Sequence, residues 1–247
     1  MKKSPFAELI AEIARRSGPV TAIATSLAVP IAQAASGDLD PAFADHGRLG
    51  PLAGRVGPAQ SIVLLEDGGA LLGGGDTELV CRSWYCYYDH EFETSNFIDA
   101  FTPEGAVSAA FEAAQVTGVE VFGIARQADG KVVAAGRRVG IHRPQYNKLI
   151  VFRLDVDGPL DAEFGSEGIL ELDETAFGTH NKADAVLLDP DGRIVVAGAR
   201  DDALLVLRLN ADGSLDDTFG DGGVLQVRCT STTRAAVSRG THQAAIA

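Results

Sequence analysis

An all-β fold of tandem four-stranded antiparallel units is what this sequence predicts, on three observations. Acidic-Gly turns recur between short apolar runs, and Gly68, Gly130 and Gly192 follow one another at a constant spacing of 62 residues. The Val, Ile, Leu and Ala runs beside those turns are five or six residues long and too interrupted for helices. A Leu-Asp-x-x-Phe signature recurs at Leu39–Phe43, Leu160–Phe164 and Leu215–Phe219, with a degraded copy ending at Phe111.

Each element has a local reason. The first unit pairs Ser61 to Gly75 with Asn96 to Gly105, the second Phe122 to Gly136 with Leu149 to Gly158, and the third Asp184 to Gly198 with Leu204 to Gly213. Each unit thereby offers three strands, linked by turns in which glycine supplies a positive φ. In the signature, Leu and Phe anchor a bend on the sheet while Asp turns back to cap backbone amides. A fourth strand is expected after it, as at Ile169 to Asp173. Four antiparallel strands per unit of this length make a β-propeller-like blade. The units are expected at about 37–111, 112–173 and 174–227, within a repeat domain at 35–227.

Composition agrees with a folded, turn-rich chain: 247 residues, 46% hydrophobic, 22% charged, with 28 glycines. The formal charge is −13. Setting aside residues 1–34 leaves 21−4 basic against 34−2 acidic residues, near −15. Such a surface repels phosphate backbones, so nucleic acid is excluded as a partner.

Residues 1–34 read as an export signal, with Lys2 and Lys3, an apolar segment from Val20 to Ile31, and Ala32-Gln33-Ala34 as cleavage site. A membrane anchor is the alternative, disfavoured by Thr21, Thr25, Ser26 and Pro30 within the short apolar stretch. Arg15-Arg16 leaves a twin-arginine route open beside the general one. The expected location is periplasmic, secreted or cell-surface, with no stable membrane span after cleavage. In an oxidising compartment Cys81 and Cys86 are expected to form a short-loop disulfide, with Cys229 left over as a free thiol or a dimer link. Zinc, with Asp89 and His90, is the alternative there, but the spacing matches no zinc pattern.

The combination of Ala185 to Gly198, AVLLDPDGRIVVAG, with Leu207 to Gly220, LRLNADGSLDDTFG, resembles the delta-60 repeat family of exported bacterial proteins. The resemblance covers most of residues 37–224 and is eroded in the first unit. It implies a propeller-like array and supplies no catalytic residues. Three units are fewer than a closed propeller uses, so a partial propeller or an open array is expected. The N-terminal copy of the tail either closes a ring beside the last unit or caps an open array, and a homo-oligomer is a further way to complete it. Residues 228–247 have lost the pattern and are expected to be poorly ordered.

Two turns carry hard oxygens: Asp155, Asp157 and Asp161 in the second unit, and Asn210, Asp212 and Asp216 in the third. Calcium is the one cofactor they suggest. Turn formation alone also explains them, and the acidic position of a full calcium loop is missing. The strand order puts the Asp-Gly turns on one face and the insertions Asp76 to Ser95, Arg137 to Lys148 and Thr175 to Lys182 on the other. Loops on a rigid repeat frame are where binding residues sit. Trp84, Tyr85, Tyr87, Tyr88, His90, His142, Tyr146 and His180 are therefore the candidate ligand-binding residues. Their alternative is ordinary variable loops with the aromatics packed under the disulfide, and for the histidines a metal.

Serine-hydrolase, nucleotide-loop and metalloprotease motifs are absent. The expected function is a non-catalytic exported binding or surface-interaction module with an unidentified protein or glycan partner. The alternative is a carbohydrate-active hydrolase or lyase using the loop face.

Overall fold

The computed structural model describes residues 38–50, 57–81, 90–139, 147–172, 180–201 and 203–228. The export signal, Trp84, Tyr85, Cys86, Tyr87, Tyr88, His142, Tyr146, Cys229 and the C-terminal tail lie outside them. All elements below belong to a compact unit that begins at Asp40.

Eleven strands run among the described residues: β1 Ala59–Leu64, β2 Ala70–Cys81, β3 His90–Phe101, β4 Val119–Arg126, β5 Val132–Val139, β6 Asn147–Leu154, β7 Ile169–Glu171, β8 Asn181–Leu188, β9 Ile194–Arg200, β10 Ala203–Leu209 and β11 Val224–Arg228. They form three antiparallel sheets in chain order, β1-β2-β3, β4-β5-β6-β7 and β8-β9-β10-β11, which do not close into a ring. The all-β fold of three tandem units is therefore present.

The second and third units have the four strands expected of them, and the first has three. The degraded tail explains the difference. In the complete copies the chain reverses after Phe164 or Phe219 through Gly165 and Gly168, or Gly220 and Gly223, all at positive φ, and returns as β7 or β11. The first unit has Glu112-Ala113-Ala114 at this point. There the chain runs on instead, with the Glu112 and Ala114 amides donating to the Asp157 and Gly158 carbonyls at 2.9 and 2.8 Å.

The Asp-Gly turns are as the sequence implies. The Gly130 amide donates to the Gln127 carbonyl and the Gln127 amide to the Lys131 carbonyl, the three-residue hairpin loop with glycine at positive φ. The insertion from Asp76 to Ser95 departs from expectation: its flanks are strand, paired from Asp76↔Ser95 out to Cys81↔His90. Thr77 and Thr94 hydroxyls lie 3.0 Å apart across that ladder, a cross-strand contact that favours continued pairing.

The sheets stack in series, and the second is covered on both faces. Val132, Ala134, Ile150 and Phe152 face a core shared with Leu71, Ile98 and Ala100 of the first unit. Their alternate neighbours Val133, Ala135, Leu149 and Val151 face a core shared with Val186, Val196, Leu205 and Leu207 of the third. Burial on both faces explains why these strands read as unbroken apolar runs rather than as an alternation. The third unit repeats that composition on its outward face, but Leu204, the counterpart of the fully buried Leu149, is 42% exposed. Val151→Ala is accordingly expected to cost about 2 kcal/mol, whereas Val206→Ala, its partly exposed counterpart, costs well under 1 kcal/mol. Equal denaturant midpoints for the two variants would contradict this stacking.

Adjacent units are latched by the tails. The Gly165 amide donates to the Asp212 carbonyl of the next unit at 2.8 Å, and the Phe164 ring packs where a Cβ on Gly213 would be. The N-terminal copy does the same on the first unit, where the Ala44 amide donates to the Glu104 carbonyl at 2.7 Å. It thus caps the first sheet of an open array and does not lie beside the third.

Candidate functional site

Five of the six turn residues considered for calcium have their side chains engaged in hydrogen bonds or ion pairs of the turns and tails. Asp161 is 3% exposed and its Oδ2 accepts from Arg153 Nε at 2.6 Å and from Lys131 Nζ at 2.7 Å. Its Oδ1 accepts from the Glu163 amide at 3.1 Å, the amide capping expected of the tail. Asp155 completes the Lys131 pairing at 3.2 Å. In the third unit Arg208 Nε donates to Asp216 at 2.6 Å, Asp212 accepts from the Ser214 amide and hydroxyl, and Asn210 donates to Ser214 at 2.9 Å. The guanidinium groups of Arg153 and Arg208 also lie over Phe164 and Phe219, 4.9 and 4.8 Å from the ring centroids. Asp157 is exposed, with its carbonyl taken by the Glu112 amide. Among the described residues no three His, Cys, Asp or Glu side chains converge as a metal set.

These contacts shift the acids. Burial pushes the Asp161 carboxyl up, but the hydrogen bonds from Lys131, the Glu163 amide and Arg153 outweigh it and hold the pKa below the ordinary 3.8. Asp216 is lowered by the Thr218 hydroxyl first, with the Thr218 amide and Arg208 acting against burial in the same direction. Asp212 is lowered by the Ser214 hydroxyl and amide. Each group binds its proton less readily in the folded chain, so its stabilising contribution is complete above the unfolded pKa and is lost as pH falls through the lowered one. Thermal melts are expected to hold a constant midpoint from neutrality to about pH 5 and to drop below about pH 4. A drop already complete at pH 5 would rule out these carboxylates as its source.

The loop-face candidates are only partly described. Cys81 and His90 face each other as backbone partners, the outermost described pair of the β2–β3 ladder, while their side chains lie outside the described residues. His180 is half exposed, with Nδ1 3.4 Å from Asp201 Oδ1.

On that same face the structure assembles residues the sequence reading did not single out. In all three units the first strand bulges at one place: Gln60 is the extra residue between Ala59↔Gly74 and Ser61↔Gly73, Phe122 between Val121↔Gly136 and Gly123↔Ala135, and Asp184 between Ala183↔Gly198 and Ala185↔Ala197. A bulge sets two residues against one and re-aims a side chain. Here it brings the strand before it onto the opposing glycine, since a Cβ on Gly74, Gly136 or Gly198 would overlap the Pro58, Glu120 or Lys182 carbonyl oxygen. The first strands also run close together. The Ile124 amide donates to Ser61 Oγ at 3.1 Å, and a Cβ on Gly123 would meet the backbone of Ala185 and Val186.

The three bulge side chains therefore line one cleft of about 350 Å³, together with Asp76, Glu120, Arg137 and Lys182. Glu120 is buried and accepts from Arg137 Nε at 2.6 Å and from the Thr77 hydroxyl of the first unit. Lys182 Nζ lies 2.5 Å from Asp184 Oδ1. Both cations approach the Phe122 ring, at 5.7 and 5.8 Å from its centroid. A larger groove of about 640 Å³ runs along Gly165, Glu171 and Asp212 on the outer side, but the latch of one unit on the next builds its walls. The smaller cleft is where repeated backbone carries side chains that differ between units. A signal for it was present in the sequence: Gly74, Gly136 and Gly198 are constant at the 62-residue spacing, while Gln60, Phe122 and Asp184 vary at the same spacing.

No curated protein matches the chain. Residues 190–219, from the third unit's Asp-Gly turn through its tail to Phe219, match the family described as a domain of unknown function (DUF5122) beta-propeller, so the third unit is similar to a propeller repeat.

Proposed function

We propose that this chain is a non-catalytic, exported binding module that presents its ligand site on the insertion face of a stacked-sheet frame. The observation that supports this most directly is the shared cleft, in which an identical bulge in each unit delivers a different side chain, Gln60, Phe122 or Asp184. A scaffold that repeats its backbone while varying one aimed side chain per unit suits recognition, because the frame holds those groups in place before a ligand arrives. Its volume lies at the lower end of the ~300–1,000 Å³ typical of small-molecule sites. Catalysis at the cleft has less support, because its most buried acid, Glu120, is paired with Arg137 and Thr77.

Screening the purified full chain against a glycan array and a panel of exported proteins, with product analysis of every bound glycan, tests this reading. Saturable binding without turnover is expected. Glycosidic cleavage that is lost in Glu120→Gln would replace it with the hydrolase reading.

A further inference from the structure

Resting on the binding reading, we infer that the bulge cleft takes one residue of a neutral saccharide, gripped through a vicinal pair of hydroxyls. Both cations of the cleft are already matched by an acid within it, and Asp76, the third acid, accepts from the Thr77 amide. Arg137 Nε sits 2.6 Å from Glu120, and Lys182 Nζ 2.5 Å from Asp184. A free anion would have to draw Arg137 from Glu120, leaving a buried carboxylate unpaired, which is strongly unfavourable. It would also approach a chain of net charge −13. A free cation meets acids that are already paired, apart from Asp76.

A vicinal diol needs no such exchange. Each hydroxyl both donates and accepts, and an ion pair at hydrogen-bond distance presents one donor and one acceptor side by side. One hydroxyl accepts from the cation while its neighbour donates to the carboxylate, and neither pair is broken. Two such pairs line this cleft, and Gln60 adds an amide with a donor and an acceptor of its own. Phe122, whose ring both cations approach, adds apolar surface to the lining, against which the C–H face of a sugar ring packs.

Isothermal titration of the full chain with neutral gluco-, manno- and galacto-hexaoses tests the inference, with hexagalacturonate and a glucosamine hexamer as charged counterparts. The expected result is saturable binding of a neutral hexaose, with affinity unchanged between low and high salt. Periodate-treated hexaose, with its vicinal diols cleaved, is expected not to bind. Phe122→Ala and Asp184→Asn are each expected to weaken binding about tenfold or more, with melting curves that show the fold intact. Binding confined to the charged oligosaccharides, or kept after periodate, overturns the ligand class and leaves the binding reading standing. Neutral-sugar binding that both variants retain overturns the cleft as its place. Absence of binding to any hexamer overturns the inference, and product release from a bound hexaose overturns the non-catalytic reading instead.

Discussion

Replacing Gly136 by alanine is expected to cost at least about 3 kcal/mol and to abolish whatever the cleft binds. The added Cβ falls inside contact distance of the Glu120 carbonyl oxygen and close to the carbonyl carbon, so backbone must move. The bulge is what brings that carbonyl in, and opening the contact pulls Phe122 and Glu120 from their positions. Glu120 is buried under its bonds from Arg137 and Thr77, and so cannot move alone. Gly192→Ala is the matched control, because nothing lies within 4 Å of its Cβ position and only its φ of +81° opposes the change. That variant should lose about 1–2 kcal/mol. Chemical denaturation of the two side by side decides the matter, and equal losses would mean that the close approach at Gly136 carries no weight.

Asp161→Ala is the second large effect, at about 3 kcal/mol. The substitution leaves Arg153, 7% exposed, with its charge unmatched beside the Phe164 ring. Arg153 also donates to the Ala211 carbonyl of the third unit, so the loss extends across the unit boundary. The double variant Asp161→Leu with Arg153→Met is expected to recover most of the stability, since removing both partners avoids the stranded charge. Asp216→Ala, the same change in the third unit, is expected to cost less, because Arg208 is more exposed than Arg153. A double-mutant cycle in urea measures each term. Additive single losses at Asp161 and Arg153 would show that the pair is not coupled.

Much of this molecule was legible before folding. The Asp-Gly turns and the apolar runs beside them place the first three strands of every unit, because a hairpin needs only its turn chemistry and two runs of matched length. The paired flanks 76–81 and 90–95 have the sequence of a loop, since Glu78, Glu91 and Glu93 break the apolar pattern and it is pairing with the partner strand that keeps each flank extended. The absence of a fourth strand from the first unit's described residues follows from the loss of the Phe-Gly tail, visible in the sequence after Phe111. The loop-face residues stand out by chemical type in the insertions, whereas the cleft is lined from strands whose bulge residues Gln60, Phe122 and Asp184 share no chemical type that would mark them.

The sequence by itself determined the period, the number of units, the turns and the fold class, because these depend on residues close in the chain. Only the tertiary structure decided that the first strands run side by side, that each bulges opposite a glycine, and that Gln60, Phe122 and Asp184 thereby share one cleft. The physical reason is the separation involved. A bulge appears only against a paired strand, and residues 62 positions apart meet only when the sheets have stacked.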